Sequence, residues 1–154
     1  MRLLSNKAVV ISMLVLLMVS MTACDNTVKK AAGYLYDIAD VLGEVQSVTI
    51  DAFDAQLIDQ EVHDSILQAT LRANQAGQEA TNILIELDDS GITDMDLDTK
   101  QAILKYALVI SDALDPDNLS AVANIQDENI QNKIKTGLVT ARAVLATLNA
   151  LLAR

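Results

Sequence analysis

Residues 62–87 read VHDSILQATLRANQAGQEATNILIEL, and the spacing of their apolar and small side chains decides the fold. Such residues recur at intervals of four and three, which is the periodicity of one face of an α-helix. They are Val62, Ile66, Ala69, Ala73, Ala76, Ala80, Ile83 and Leu87. The stretch therefore predicts a long amphipathic helix whose apolar stripe is buried against neighbouring helices.

Three other stretches also carry helical stripes. The N-terminal stripe consists of Val28, Ala31, Leu35, Ile38, Leu42, Val45, Thr49 and Ala52. The C-terminal stripe consists of Ile130, Ile134, Leu138, Ala141, Leu145, Leu148 and Leu152. A broader stripe between them consists of Ile103, Leu104, Ala107, Leu108 and Ile110. Because such stripes are buried when helices pack side by side, the sequence predicts an all-α fold, an antiparallel four-helix bundle that follows an N-terminal apolar signal helix.

Capping residues set the expected helix starts. Asp59 and Asp127 are expected to cap the second and fourth helices, because an aspartate side chain accepts hydrogen bonds from the free amides of a first turn. Either Thr93 or Asp96 is expected to cap the third helix. Together with the stop signals, these residues predict helices over 27–55, 59–88, 94–114 and 127–152.

Glycine and proline mark expected ends and contacts. Gly91 predicts the end of the second helix, and Asp115-Pro116-Asp117 predicts the end of the third. Four further glycines lie inside predicted helices, where each costs about 1 kcal/mol relative to alanine. They are expected to allow close approach of neighbouring helices, or alternatively to mark kinks, and they are Gly33, Gly43, Gly77 and Gly137.

Composition sets the character of the surface and the core. The 154 residues include 21 acidic and 11 basic side chains, which gives a formal net charge of −10. This acidic balance argues against binding to nucleic acid and against lying flat on anionic lipid. The chain has no Trp and one Phe, so we expect an aliphatic, alanine-rich core rather than an all-β sandwich.

The first 24 residues have the layout of a secretory signal. Two bases, Arg2 and Lys7, precede an apolar stretch at 8–19, and small residues precede the single cysteine, Cys24. The quartet Met21-Thr22-Ala23-Cys24 resembles the lipobox of bacterial lipoproteins, in which the cysteine is acylated and becomes the first residue of the mature protein.

The resemblance implies a signal peptide at 1–23 and an acidic helical-bundle domain at 24–154. Cys24 would carry acyl chains such as palmitate and attach the domain to the cell membrane, on its periplasmic or extracellular side. Asp25 and Asn26 resemble the inner-membrane sorting signal of enterobacterial lipoproteins. Removal of the two bases of the signal would change the formal charge from −10 to −12.

Two other interpretations of the N-terminus stay open. The first is an uncleaved membrane anchor, although 8–23 provides 16 residues where a spanning helix needs roughly 20. The second is an ordinary secretory signal, which would leave the Cys24 thiol without a disulfide partner in an oxidising compartment.

Acidic residues before the third helix raise the question of a metal site. Asp94, Asp96 and Asp98 match the opening D-x-D-x-D of a calcium-binding loop. The EF-hand pattern then requires glycine and glutamate at its sixth and twelfth positions, where this chain has Thr99 and Lys105. We therefore predict no metal site and no cofactor. The alternative is a weak cation site at these three aspartates.

No residue pattern in the sequence indicates catalysis. His63 is the single histidine, and we expect it to be structural, because a zinc site needs several His or Cys ligands. Ser65 and nearby acids leave a Ser-His-acid arrangement open, but no nucleophile-elbow glycine pattern accompanies any serine. Phosphate-binding glycine motifs and C-x-x-C pairs are also missing from the sequence.

Polar side chains of the second helix are the main candidates for a binding surface. They are either solvated or form a hydrogen-bonding contact surface for a partner or a peptidoglycan-like ligand, and they are Gln68, Asn74, Gln75, Gln78 and Asn82. Core packing is expected for at least one of Tyr34 and Tyr36. Lys29 and Lys30 lie closest to the lipid and together contribute about 2 kcal/mol of attraction to anionic head groups.

These features predict a membrane-anchored envelope lipoprotein that acts as a non-enzymatic binding or scaffolding module. Its expected partners are the membrane, through acylated Cys24, and another envelope protein. The alternatives are a bundle that binds a cation or a small ligand, and a lipoprotein of a phage or prophage that acts in superinfection exclusion or lysis.

We expect the mature wild-type protein to begin at Cys24 and to carry the added mass of acyl chains. Replacement Cys24→Ala should abolish that added mass, because the acylated thiol is gone. Intact-mass spectrometry of protein purified from membranes measures both. A Cys24→Ala protein that differs from wild type only by the mass of one sulfur atom would contradict the lipobox interpretation.

Overall fold

The computed structural model describes residues 26–154, which are helical and contain no strand. The helices are α1 (Thr27–Asp54), α2 (Gln60–Asp89), α3 (Leu97–Ala113) and α4 (Glu128–Leu152), with a short 3₁₀ helix (Ser120–Asn124) before α4. The all-α prediction is thus confirmed for these residues. The expected signal helix lies outside them.

Every α-helix starts at a side chain that accepts a hydrogen bond from its first turn. Asp59 accepts from the Val62 amide at 2.9 Å, and Asp127 accepts from the Ile130 amide at 3.0 Å. Both predicted caps are confirmed. The oxygens satisfy amide groups that have no partner within the helix.

The third helix begins at Leu97, so its predicted start at 94 is wrong. Asp96 caps it by accepting from the Thr99 amide at 2.8 Å. Thr93 serves a different contact, because its carbonyl oxygen accepts from the Val28 amide at 3.4 Å. The backbone at 93 thereby joins the α2–α3 corner to the start of α1.

Two helices end on a residue in the left-handed region. At the end of α2, Gly91 has a φ of +72°, and the next amide, that of Ile92, donates to the Leu87 carbonyl at 2.9 Å. The same arrangement ends α1, where Gln56 has a φ of +59° and the Leu57 amide bonds back over the last turn. These are Schellman caps, which favour glycine because a Cβ is strained at positive φ.

The four helices pack so that α1 lies between α2 and α4. Helix α3 packs mainly on α2, and its contact with α4 is smaller and is supplemented by the 3₁₀ helix, which touches both α2 and α4. Contacts between α1 and α2 link Lys29 with Asp88, Gln46 with Thr70, and Phe53 with His63. Residue numbers rise along α1 as they fall along α2, so these two helices run in opposite directions.

The stripes of the first and last helices match the sequence pattern closely. All eight predicted residues of α1 are buried, including Thr49, whose hydroxyl donates to the Val45 carbonyl at 2.7 Å. Six of the seven predicted residues of α4 are buried, and the remaining one, Ile130, is half-buried. These two faces pack against each other over most of their length.

The stripe of α2 is only partly as predicted. Ala69, Ile83 and Leu87 are half-buried, while the buried positions also include Thr70, Gly77 and Leu84. A strict seven-residue repeat drifts around a straight helix by about 20° per heptad, so the true face departs from it. Thr70 tolerates burial because its hydroxyl donates to the Ile66 carbonyl and accepts from Gln46.

Helix α3 has a narrower buried face than predicted. Ile103, Ala107 and Ile110 are buried, but Leu108 is 69% exposed and its predicted burial is wrong. The reason is geometric: α3 packs chiefly on α2 and only lightly on α4, so the far side of its apolar stripe faces solvent.

The predicted role of the helical glycines holds at one position. A methyl group at Gly137 would overlap the buried side chain of Val45, so α4 approaches α1 closely there. Gly33 and Gly43 are exposed, and a Cβ at either would meet no atom within 4 Å, so close approach is wrong for both. Gly77 is buried but also has space for a Cβ, and α2 continues through it without a break.

The two sites give opposite expectations for one chemical change. Gly43→Ala should stabilise the protein by about 0.5–1 kcal/mol, because alanine loses less backbone entropy in an exposed helix. Gly137→Ala should destabilise it by about 1 kcal/mol or more, because the new methyl group must displace a fully packed β-branched side chain. Urea unfolding of the purified proteins measures both. Shifts of the two midpoints in the same direction would contradict this packing.

Candidate functional site

The described residues begin at one end of the bundle. Cys24 and Asp25 are outside the described residues, while Asn26 caps α1 by accepting from the Lys29 amide at 2.9 Å. Thr27 donates its hydroxyl to Asp94 at 2.8 Å, and Lys29 lies 3.7 Å from Asp88. The start of α1 is therefore held against the α2–α3 corner. None of the helices in the described part is long and apolar enough to cross a membrane.

The three candidate cation ligands each have a contact or a place within the fold. Asp94 accepts from the Thr27 hydroxyl and from the Met95 amide, Asp96 caps α3, and Asp98 lies in the first turn of α3. Residues 26–154 contain no group of three or more His, Cys, Asp or Glu placed to hold a metal ion. Asp96 and Asp98 lie at the N-terminal end of α3, where negative charge interacts favourably with the helix dipole.

His63 sits in a structural environment on α2. Its ring centroid lies 4.3 Å from that of Phe53, and its Nδ1 lies 2.9 Å from a carboxylate oxygen of Asp64. Hydrogen bonds from the Gln60 amide and from the His63 ring lower the pKa of Asp64 from its ordinary value. Within 26–154, no hydrogen bond joins His63 to Ser65.

Ser65 instead lines a cleft between α2 and the region after α3. Gln68, Arg72, Asp112 and Asn118 share this cleft. Arg72 and Asp112 pair at 3.0 Å across it, with both side chains more than half exposed. Exposed pairs of this kind contribute about 0–1 kcal/mol, so the cleft is a solvated helix contact.

The amide side chains of α2 divide between two sides of the helix. Gln75 is exposed and lines neither this cleft nor the groove described next, whereas Gln68 lines the cleft. The other three, Asn74, Gln78 and Asn82, line a groove of about 340 Å³ between α1 and α2, which we call the amide groove. Its remaining lining residues are Leu35, Tyr36, Ala39, Gly77 and Thr81.

The amide groove differs in character from the rest of the surface. None of its lining residues is charged, although 21% of the whole sequence is. The Tyr36 ring is 60% exposed at one side, and the space beside Gly77 is open. The side-chain oxygen of Asn74 is buried and has no hydrogen-bond partner among the described residues. The groove thus combines amide side chains with an aromatic face, and one of its lining residues, Asn74, carries a buried oxygen without a partner.

The largest cavity has a different origin. It measures about 620 Å³ and lies between α1 and α4, with Val41, Val45, Gly137 and Thr140 in its lining. All its lining residues belong to these two helices, and Gly137 has no side chain to fill it. Neither of the two buried oxygens without a partner, on Asn74 and Asn149, belongs to its lining. We therefore place the candidate site in the amide groove rather than here.

Sequence reasoning found the amides of the groove but not its other members. Core packing was expected for at least one of Tyr34 and Tyr36, and Tyr34 packs against the core while Tyr36 lines the groove. Gly77 was expected only to allow close approach of helices or to mark a kink, and Ala39 was not identified, because small residues carry no chemical signal of a binding site. Their contribution is the space that they leave between two helices.

Comparison of the chain with protein-family models, curated proteins and solved structures finds no match. The chemistry of the amide groove and the pattern of the N-terminal residues are what point to a function.

The Asp96 cap makes folding stability sensitive to acid. Hydrogen bonds from Thr99 lower the pKa of Asp96, so the cap stabilises the protein above the ordinary aspartate pKa and is lost as pH falls through the lowered value. Asp96→Asn keeps a capping oxygen that does not titrate. Its unfolding free energy should therefore fall less than that of wild type between neutral pH and about pH 3.

Urea unfolding at both pH values measures this difference. Asp98→Asn removes the same charge from the same turn but no cap, and its pH dependence should follow wild type. An Asp96→Asn profile that overlays the wild-type profile would show that the carboxylate cap does not contribute to acid sensitivity.

Proposed function

We propose that this chain is an envelope lipoprotein whose antiparallel four-helix bundle is a binding module without enzymatic activity. In this proposal the bundle is attached through acylated Cys24 on the periplasmic or extracellular side of the membrane. It binds its ligand in the amide groove. The single observation that carries the binding role is the buried Asn74 oxygen without a partner in a groove that contains no charge.

The buried Asn74 oxygen without a partner is energetically unfavourable. A buried polar atom without a hydrogen bond costs about 1–3 kcal/mol of stability. Natural cores satisfy nearly all such atoms, as Thr49 and Thr70 do here. Because Asn74 is a lining residue of the groove, we propose that a ligand bound there donates a hydrogen bond to this oxygen.

The lining residues define the class of that ligand. An uncharged ligand is favoured, since no side chain of the groove would neutralise a charge. Amides of Gln78 and Asn82 both donate and accept, and the Tyr36 ring offers an apolar face with a polar tip. A saccharide with acetamido groups has the matching features: hydroxyls, an amide and an apolar ring face.

The position of the groove limits where the ligand can be. Three residue steps from Cys24 to Thr27 span at most about 11 Å. The groove residue farthest along α1, Ala39, lies about 18 Å beyond the start of that helix. With Cys24 acylated, the groove stays within about 30 Å of the membrane attachment. The proposed ligand is thus a sugar presented close to the membrane surface.

Binding of an N-acetylglucosamine tetramer to the full-length protein tests this proposal. Asn74→Leu should weaken binding roughly tenfold, because one hydrogen bond is lost. The same change should leave the unfolding free energy unchanged or raise it by about 1 kcal/mol, because it removes an unsatisfied buried oxygen. Titration calorimetry in a detergent without sugar head groups measures affinity, and urea unfolding measures stability.

A matched pair of glutamine variants provides the control. Gln78→Ala changes a groove residue, while Gln75→Ala changes an exposed neighbour three residues earlier on the same helix. Only the first should weaken binding. Maltotetraose, a glucose tetramer that lacks acetamido groups, should bind more weakly than the N-acetylglucosamine tetramer. Equal binding of the two sugars, or no effect of Asn74→Leu, would contradict the proposal without bearing on the lipid anchor.

A further inference from the structure

A second opening lies on the opposite side of the bundle, between the 3₁₀ segment and α4. It is a cavity of about 300 Å³, and its inner wall is formed by buried apolar side chains, namely Leu114, Leu119, Val122 and Leu138. At its mouth Val139 is 64% exposed. We call this feature the α4 mouth.

Two cationic side chains stand at the α4 mouth. Lys135 and Arg142 both line it, and they lie four residues before and three residues after Val139, which places all three on one face of the helix. Neither base forms an ion pair within residues 26–154. In a chain with 21 acids and 11 bases, these two cations line the same apolar opening.

We propose that the α4 mouth binds a single-chain amphiphile with an anionic head group, such as a fatty acid. The acyl chain would occupy the apolar cavity, and Lys135 and Arg142 would contact the head group from either side. Long Lys and Arg side chains suit this role, because their apolar stems pack along the cavity rim while their charged ends reach solvent.

The dimensions and the charge of the mouth favour this occupant over others. One turn of a partner helix, 10–12 Å across and 5.4 Å long, occupies more than about 400 Å³. This volume exceeds that of the cavity, about 300 Å³. Small ligands commonly occupy cavities of about 300–1,000 Å³. A neutral apolar molecule would make no use of the two cations. The site is separate from the amide groove and does not depend on the function proposed for it.

Photocrosslinking of a diazirine-bearing palmitate to the full-length protein in native membranes tests the proposal. Cleavage after glutamate produces one peptide, residues 129–154, that contains the α4 side of the mouth and stays intact in every variant below. We expect this peptide to be labelled. Unlabelled palmitate should compete with the probe, whereas hexadecanol, which has the same chain and no charge, should not.

Charge variants separate a specific contact from a general one. Lys135→Gln with Arg142→Gln should lower labelling of 129–154 roughly fivefold, since each exposed ion pair contributes a factor of about 1.5 to 5. Lys105→Gln with Lys133→Gln removes the same charge from exposed positions outside the mouth and should leave labelling unchanged. A third variant, Val139→Asp, should abolish labelling because it places an acid at the opening.

Circular dichroism of the variants checks that these surface changes leave the fold intact. Three results would overturn the proposal. They are labelling confined to residues 1–25, labelling of 129–154 that hexadecanol displaces as well as palmitate does, and equal labelling of the two double variants. Competition by dodecyl phosphate as well as palmitate would extend the head group to phosphates.

Discussion

The fold depends on burial of the apolar stripe of α1, because this stripe is covered from two sides. Helices α2 and α4 both pack along α1, and neither of them packs against the other. Helix α3 reaches the rest of the bundle mainly through α2. Loss of packing on α1 would therefore separate α2 from α4 and leave only the smaller contacts of α3 and the 3₁₀ helix between them.

The buried core that joins these helices consists of aliphatic side chains, and aromatic residues only pack against it. The chain has no Trp, and Phe53 only packs against the edge of the core. Large buried side chains such as Ile38, Leu42 and Ile134 alternate with alanines, which let the helices approach closely. Stability must then come from many small areas of buried apolar surface, each contributing about 25 cal/mol per Å². Overlap at Gly137 is costly because the Val45 side chain that a Cβ would displace is buried.

Much of the architecture could be predicted from the sequence, and the errors have physical reasons. The α1 stripe was predicted residue for residue, since a helix covered from two sides keeps one continuous buried face. The stripe of α2 was predicted only in part, because Thr70 and Gly77 are not apolar and Leu84 lies off the strict seven-residue repeat. Burial of Thr70 depends on hydrogen bonds to Ile66 and Gln46, and the second of these exists only after α1 and α2 have packed.

The candidate site was predicted less completely than the fold. The sequence singled out the amides of α2, but only the packed helices show that Asn74, Gln78 and Asn82 share a groove and that Gln75 does not. A site formed by small residues and by the absence of charge has no motif. Asn26 is instructive in another way, because a residue predicted to direct sorting also caps α1. Lys135 and Arg142 likewise indicate a binding site only because both line the same apolar cavity.

The start of α1 so soon after the proposed acylated cysteine has a consequence for how the protein would meet its ligands. With Cys24 acylated, the bundle would stay close to the membrane, and the membrane surface would restrict its orientation. Encounters with molecules embedded in the same leaflet would then take place within a thin layer at the membrane surface. Their frequency follows surface density and lateral diffusion rather than bulk molarity, so even a weak intrinsic affinity would give high occupancy.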